Sequence, residues 1–539
     1  MPTHSSRICV TKNSDVAKFI IVIAIVLLLA GNVPLFGQSP TGALLSGIAD
    51  DIYRSGAMND RMIGAMRSGL NEQMARYRNS PMGQGTWTGD VRTMPGGELA
   101  GSGGTTGGGT GSDGRGGVFV HPNGVMARFS VFDAGTLTRQ QLNAVKAIYL
   151  LPGDVSAESP MRCISLNRLE KAIIEANGEI SHEMWYLAGI QRIRYVFYYP
   201  ESKDIVIAGH AEGWSPGYEG TMIGIKTGQP VCELQDLVTA LRIHVPGRVV
   251  TEAVGCSIDP TPEGNVRLQQ FVDQFSVGNT PAQRQAFING IRESIGLQTI
   301  RVDGVPATTH AARIMVAADY RMKRIGLGAD DKPVRQLTTF IEKTVPSAPD
   351  AAFRWFFVPD YESVILTEDR TGLQLVGDGV KLVGENEIVY STGERSTLQG
   401  KLDPGSAAFT KSFTQQYPRI AERALVFAQL RNWIDMLICA AHIQREGFYG
   451  KSGWSMEFFG SEEKFPLEVY TAPTEVEPLV GQVRRGNLLL APVGGGVVID
   501  AELALDEANA KPDTDKEVEN QRAKIGLSLP ENVWWWDVR

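Results

Sequence analysis

Paired histidines, a CxxC motif and a surplus of basic charge are all missing from this chain, and each absence closes off a class of function. The seven histidines include no HxH or HxxxH spacing, so a zinc-protease helix or a two-histidine clamp has no local basis, and no metal or cofactor is expected. Five cysteines occur without a CxxC, which removes thioredoxin-like redox chemistry and zinc ribbons at their minimum spacing. The formal net charge is −8; Asp500 to Glu519 holds eight acids against two lysines, a balance of −6 that leaves −2 for everything else. A body so nearly neutral has no field to attract a polyanion, and nucleic acid is not an expected partner.

What is present is ordinary for a globular protein. With 43% hydrophobic and 21% charged residues over a length of 539, wholesale disorder is excluded and two or three domains with sizeable cores are expected. At the N-terminus, Arg7, Lys12 and Lys18 precede an unbroken apolar run from Phe19 to Ala30, and Val33-Pro34 leads into Leu35-Phe36-Gly37-Gln38. A basic region, an apolar core of signal length and a small-residue exit predict a signal peptide over residues 1–37, and hence an exported protein, periplasmic or on the cell surface. The alternative is an uncleaved N-terminal transmembrane anchor, because counting on to Phe36 approaches the roughly 20 residues of a span. Residues 38–95 lean towards helix, with Met62, Met66, Leu70 and Met74 on a four-residue step that is ordinarily packing material. From Gly96 to Gly117 twelve of twenty-two residues are glycine, a flexible linker that cannot bury enough to offset its chain entropy.

The body is divided by the sequence into an α+β domain at 118–330, a second at 331–500 and an acidic tail at 501–539 that ends in Trp534-Trp535-Trp536. Helices are expected at 138–148, 166–176, 265–275, 281–295, 334–343 and 419–445, and extended runs at 194–199, 204–208, 241–250, 254–258 and 497–499. Asp259 to Gly264 reads as a rigid turn. Arg354-Trp355-Phe356-Phe357-Val358-Pro359 echoes Arg194-Tyr195-Val196-Phe197-Tyr198-Tyr199-Pro200, and each is preceded by a helical pattern. Mixed helices and antiparallel hairpins, with a duplicated helix–strand–strand unit, predict an α+β fold. The triple tryptophan is either a docking peg for a partner or packs back onto the body.

The clearest local grammar lies between Thr299 and Gly328. A short strand, the turn Asp303-Gly304 and a cap at Thr308 lead into a helix whose Ala311, Met315, Ala318, Met322 and Ile325 make one apolar stripe. On the opposite face Arg313, Arg321 and Arg324 are candidates for binding a small anion, and Asp319 and Lys323 can pair one turn apart. His310, in the first turn, is expected to be exposed.

Catalytic candidates are few. Gly213-Trp214-Ser215-Pro216-Gly217 matches the G-x-S-x-G pattern, with Ser215 as nucleophile, His210 as base and Asp204 or Glu219 as orienting carboxylate. Pro216 and the glycines at 217, 220 and 224 oppose the helix that must follow such a serine, so a proline-glycine turn is the competing expectation. Export leaves four cysteines beyond the signal: Cys163, Cys232 and Cys256 are candidates for disulfides of undetermined pairing, and Cys439, inside an apolar helix, is expected to be a buried thiol.

Cys163 to Glu170, VPGRVVTEAVGCSIDPTPEG from Val245 to Gly264, and ADYRMKRIGLG from Ala318 to Gly328 resemble an uncharacterised domain family, a domain of unknown function, of exported planctomycete bacterial proteins, over about Val118 to Ile499. The resemblance brings no activity, ligand or catalytic residue; it implies a bacterial cell-envelope setting. The function expected is therefore an exported, non-catalytic interaction protein whose partner is an envelope protein or polymer. A serine hydrolase at Ser215 and a small-anion binder at Arg313, Arg321 and Arg324 are the alternatives.

Overall fold

Two mixed sheets share a layer of buried helices. A computed structural model describes residues 116–130, 151, 153–217, 221–248, 250, 252–276, 280–344, 351–389, 395–397, 402–480 and 493–538, all within one unit that runs from Arg78 to Arg539. The signal segment, residues 38–95, most of the glycine linker, the helix expected at 138–148 and Glu219 lie outside the described residues. The larger sheet has nine strands in the order Gly116–Val120, Val125–Ser130, Glu475–Val476, Gln298–Asp303, Val254–Asp259, Val493–Ile499, Ala351–Asp360, Gly379–Val389 and Arg395–Thr397. The smaller has seven: Ala510–Pro512, Ser363–Leu366, Gly372–Val376, Tyr195–Tyr199, Asp204–Ala211, Ser159–Ser165 and Trp535–Asp537. The α+β class expected from the sequence is what the chain forms.

The expected boundary at 330 does not separate the sheets, because each contains strands from both sides of it. Val493–Ile499 runs parallel to Ala351–Asp360 and antiparallel to Val254–Asp259. Its glycines are required there: a Cβ on Gly495, whose φ is +111°, would stand 2.0 Å from the Trp355 carbonyl oxygen, and one on Gly496 would stand 1.7 Å from that of Cys256. The duplicated unit does not form either. Tyr195–Tyr199 folds back on Asp204–Ala211 as a hairpin, whereas Ala351–Asp360 pairs with Gly379–Val389 while Ser363–Leu366 crosses into the other sheet. The aromatic echo reflects two strands of similar burial with different partners. The tail is part of the body, since its two three-residue strands close both edges of the smaller sheet. Edges that short, carrying Pro512 and Asp537, leave little backbone for another strand to join.

Several elements differ from their sequence expectations. The described residues of 241–250 do not form a strand; Leu234–Ile243 is a helix, with Leu234, Leu237, Val238 and Leu241 buried at helical spacing. Thr261 caps a helix that already begins at Pro262, inside the expected turn, and only Phe340–Lys343 of the expected 334–343 helix is helical. The single helix expected at 419–445 is two, Pro404–Arg423 and Leu425–Arg445, bent by 108°. No described helix is by itself long and apolar enough to cross a membrane.

His310–Gly326 is the central helix. All five stripe residues are buried, as expected. Its cap is Thr309, one residue after the expected Thr308: the hydroxyl accepts from Ala312 N at 3.2 Å and donates to Pro306 O at 2.8 Å. The other face is covered too, because the helix lies between the Val254–Asp259 and Val493–Ile499 strands on one side and the Leu425–Arg445 and Leu234–Ile243 helices on the other. Lys323, only 1% exposed, therefore donates to Asp319 Oδ2 at 2.7 Å and to the carbonyls of Gly495 at 3.0 Å and Ile258 at 3.2 Å. The pair expected on a surface is an internal tie between the helix and two central strands.

Candidate metal centre

Two helix starts meet beside the central helix. Glu233 is the N-cap residue of Leu234–Ile243 and Asp236 is in its first turn, so the two carboxylates, three residues apart, share a face where unpaired backbone N–H groups favour negative charge. The Thr309 cap makes His310 the first residue of its own helix. There His310 Nδ1 lies 2.9 Å from Asp236 Oδ2 and 3.9 Å from Glu233 Oε2. One ligating atom from each of the three residues falls within 4.8 Å of the others. The remaining oxygen of Asp236, Oδ1, is buried without a hydrogen-bond partner.

A second layer holds these groups. Gln235 Nε2 donates to Glu233 Oε2 at 2.6 Å and to the Tyr470 hydroxyl at 3.3 Å, and that hydroxyl donates to Glu468 Oε2 at 2.7 Å. Tyr470 N donates to Thr308 O at 2.9 Å, which ties its segment to the start of the central helix. The Arg313 guanidinium lies 4.7 Å from the centre of the Tyr470 ring, a cation–π contact. Burial opposes charge on His310, but Asp236 and Glu233 outweigh it and push the imidazole up to about 9. Burial also raises the Glu233 carboxyl, more than the His310 charge lowers it.

The sign of the pH effect follows. A histidine raised from 6.5 to about 9 contributes stability that is complete below its unfolded value and is lost as pH rises through the folded one. In chelator-treated protein the thermal midpoint is expected to fall between pH 6.5 and 9, and His310→Gln is expected to flatten that fall. An unchanged slope in the variant would show that another group is responsible.

The residues nominated by the sequence are placed differently. Ser215 is buried in the strand Trp214–Pro216, which pairs with Met222–Gly224 in place of starting a helix. Both ring nitrogens of His210 are taken, Nδ1 by Gln191 Oε1 at 3.1 Å and Nε2 by Glu158 Oε1 at 3.4 Å, so neither is left to serve Ser215. Asp204 is held by Arg168 and accepts from Ser165 at 2.6 Å. Arg313, Arg321 and Arg324 do not form a solvated clamp, because the face they occupy is covered: Arg313 turns onto Tyr470, Arg324 pairs with Asp330 at 3.1 Å, and Arg321 is half-buried. Cys163, Cys232 and Cys256 are free buried thiols rather than disulfides, Cys163 and Cys256 in strands of different sheets and Cys232 in the loop before Leu234–Ile243, and Cys439 is the buried thiol expected.

The His310 side chain is only 11% exposed and lies against carboxylates, contrary to the exposure expected of it. Glu233 and Asp236 carry no signal that ties them to His310, since 74 residues separate Asp236 from His310 and the extended run expected at 241–250 overlaps the helix that presents them. An acid pair at a helix start, E-x-x-D, was the only local hint.

Residues 256–340 match the model of a family described as Protein of unknown function (DUF1598). The match runs over the paired central strands, the helical hairpin at 262–295 and the whole central helix, including His310, Asp319 and Lys323. The match takes in Ala318 to Gly328 and the end of the Val245–Gly264 segment, and leaves Cys163 to Glu170, Glu233, Asp236 and Tyr470 outside. No curated protein and no solved structure matches the chain.

Proposed function

We propose that this protein is an exported, non-catalytic binding protein of a bacterial cell envelope that takes up a cation at Glu233, Asp236 and His310. The observation that carries the binding chemistry is the convergence of two carboxylates and one imidazole from two helix starts, within 4.8 Å of one another and largely out of water. Buried carboxylates gathered this closely repel one another, and a cation removes that cost. Export to the periplasm or cell surface, or attachment to the membrane by a retained segment, is supported by the basic residues, apolar run and small-residue exit of positions 1–37. The planctomycete setting belongs to the same reading through the resemblance of three segments. The glycine-rich stretch at 96–117 suits a tether that lets the body reach an envelope protein or polymer. In the hydrolase alternative both ring nitrogens of His210 are engaged away from Ser215, and in the anion alternative Arg313 and Arg324 are held by different partners.

The test is direct. Protein recovered from the extracytoplasmic fraction is expected to begin at Gln38 and, after equilibrium dialysis against mixed divalent cations, to retain one cation per chain. Asp236→Asn is expected to retain far less. Cytoplasmic recovery with the N-terminus intact would overturn export, and equal retention by wild type and variant would overturn the site.

A further inference from the structure

We infer that the cation at Glu233, Asp236 and His310 is a first-row transition metal ion, zinc or a close neighbour of it, and not calcium or magnesium; this rests on the cation-binding reading above. Donor chemistry is the first argument. Imidazole nitrogen is a good ligand for zinc, iron, cobalt and nickel, whereas calcium and magnesium are held by oxygen, calcium by six to eight of them. The cluster offers one nitrogen and two carboxylates, a set of three that suits a four-coordinate ion with one place open.

Geometry is the second. Donors about 2.1 Å from a tetrahedral ion stand about 3.4 Å from each other, and the two separations from His310 Nδ1, 2.9 Å and 3.9 Å, fall on either side of that value. Three acceptors around an ammonium group at hydrogen-bond distance would stand roughly 4.6 Å apart, wider than both, so an organic amine fits less well.

Charge and satisfaction are the third. A divalent ion and two carboxylates sum to zero, so replacing the proton shared by His310 and Asp236 with the metal leaves no net charge in the cluster. As it stands, Glu233 is beyond hydrogen-bond reach of His310, and Asp236 Oδ1 is buried without a partner. A bound ion would engage Glu233 and give Asp236 a second interaction. The Gln235 bond to Glu233 Oε2 already fixes one ligand's orientation, as supporting groups of metal sites do. The ion would clamp Leu234–Ile243 to the central helix.

The experiment uses the full chain, stripped with a chelator and titrated separately with Zn²⁺, Co²⁺, Ca²⁺ and Mg²⁺, with the far-ultraviolet circular dichroism of every variant checked first. Zn²⁺ and Co²⁺ are expected to bind one per chain, Co²⁺ with the visible absorption of a four- or five-coordinate site, and excess Ca²⁺ or Mg²⁺ should not displace them. His310→Gln should weaken Zn²⁺ by at least the roughly 10–100-fold that even supporting groups are worth, and Asp236→Asn should do the same, so that one poorly folding variant does not decide the matter. If Ca²⁺ or Mg²⁺ binds as well as Zn²⁺ and His310→Gln binds normally, the transition-metal assignment fails while a carboxylate cation site survives. If no cation binds, or folded variants bind Zn²⁺ as wild type does, both fail.

Discussion

Lys323→Met is expected to destabilise the protein by about 3–5 kcal/mol, the usual cost of removing one partner from a buried ion pair. Among the described residues the ammonium is the one hydrogen-bond donor to the Asp319 carboxylate, whose Oδ1 is already without a hydrogen bond and whose residue has no exposure to solvent. Two strand carbonyls, Gly495 O and Ile258 O, lose their donor as well. The double variant Lys323→Met/Asp319→Leu is expected to recover most of the loss, since replacing a whole buried pair by apolar groups is often neutral or better. Chemical denaturation of wild type, single and double variants measures this cycle. Burial holds the Asp319 carboxyl up to about 7 despite Lys323, so the defect of the single variant should shrink as pH falls and Asp319 takes a proton. A loss below about 1 kcal/mol, or a double variant worse than the single, would contradict the tie described between the central helix and the larger sheet.

Arg162→Met is the second large effect, again about 3–5 kcal/mol, with a local signature. Arg162 is fully buried and grips both carboxylate oxygens of Asp537, at 2.8 Å and 2.9 Å, and the carbonyls of Ala188 at 2.6 Å, Val155 at 3.0 Å and Ala157 at 3.0 Å. Its guanidinium also lies 4.8 Å from the centre of the Trp535 ring. Without it the C-terminal strand retains its pairing with Ser159–Ser165 and the buried Trp536, and loses the group that locks it. Limited proteolysis followed by mass spectrometry should show residues beyond Leu529 released earlier than in wild type. Asp537→Asn should cost less, because Asp537 is a quarter exposed and the carbonyl contacts persist. Unchanged release in Arg162→Met would mean that the strand is held by packing alone.

These two positions show how far local sequence carries. The central helix could be read from its five apolar residues and from the spacing of Asp319 and Lys323, and both features hold. Their depth could not be read, because it depends on the strands at 254–259 and 493–499 and the helix at 425–445, which cover the face that a single helix leaves to solvent. The α+β class followed from mixed periodicities. Strand partners did not, since Ala351–Asp360 takes a parallel neighbour more than a hundred residues later along the chain, where Gly495 lets the two backbones approach. Trp534 to Trp536 signalled an anchor, and only the register with Cys163 and Ile164 shows that the anchor is internal.

For the candidate site the limit is of the same kind. His310 stood at a legible helix start, and His182, His210, His244 and His442 looked no different from it. What distinguishes it is the meeting with Glu233 and Asp236, a tertiary event with no short motif behind it.

The most direct measurement is a crystal structure of the full chain grown with Zn²⁺, with data collected on both sides of the zinc absorption edge. An anomalous peak bounded by His310 Nδ1 and the carboxylates of Asp236 and Glu233 is the result expected. Well-ordered side chains at that place with no peak, and His310 still sharing its proton with Asp236, would reduce the cluster to a buried ion pair and contradict the cation-binding account.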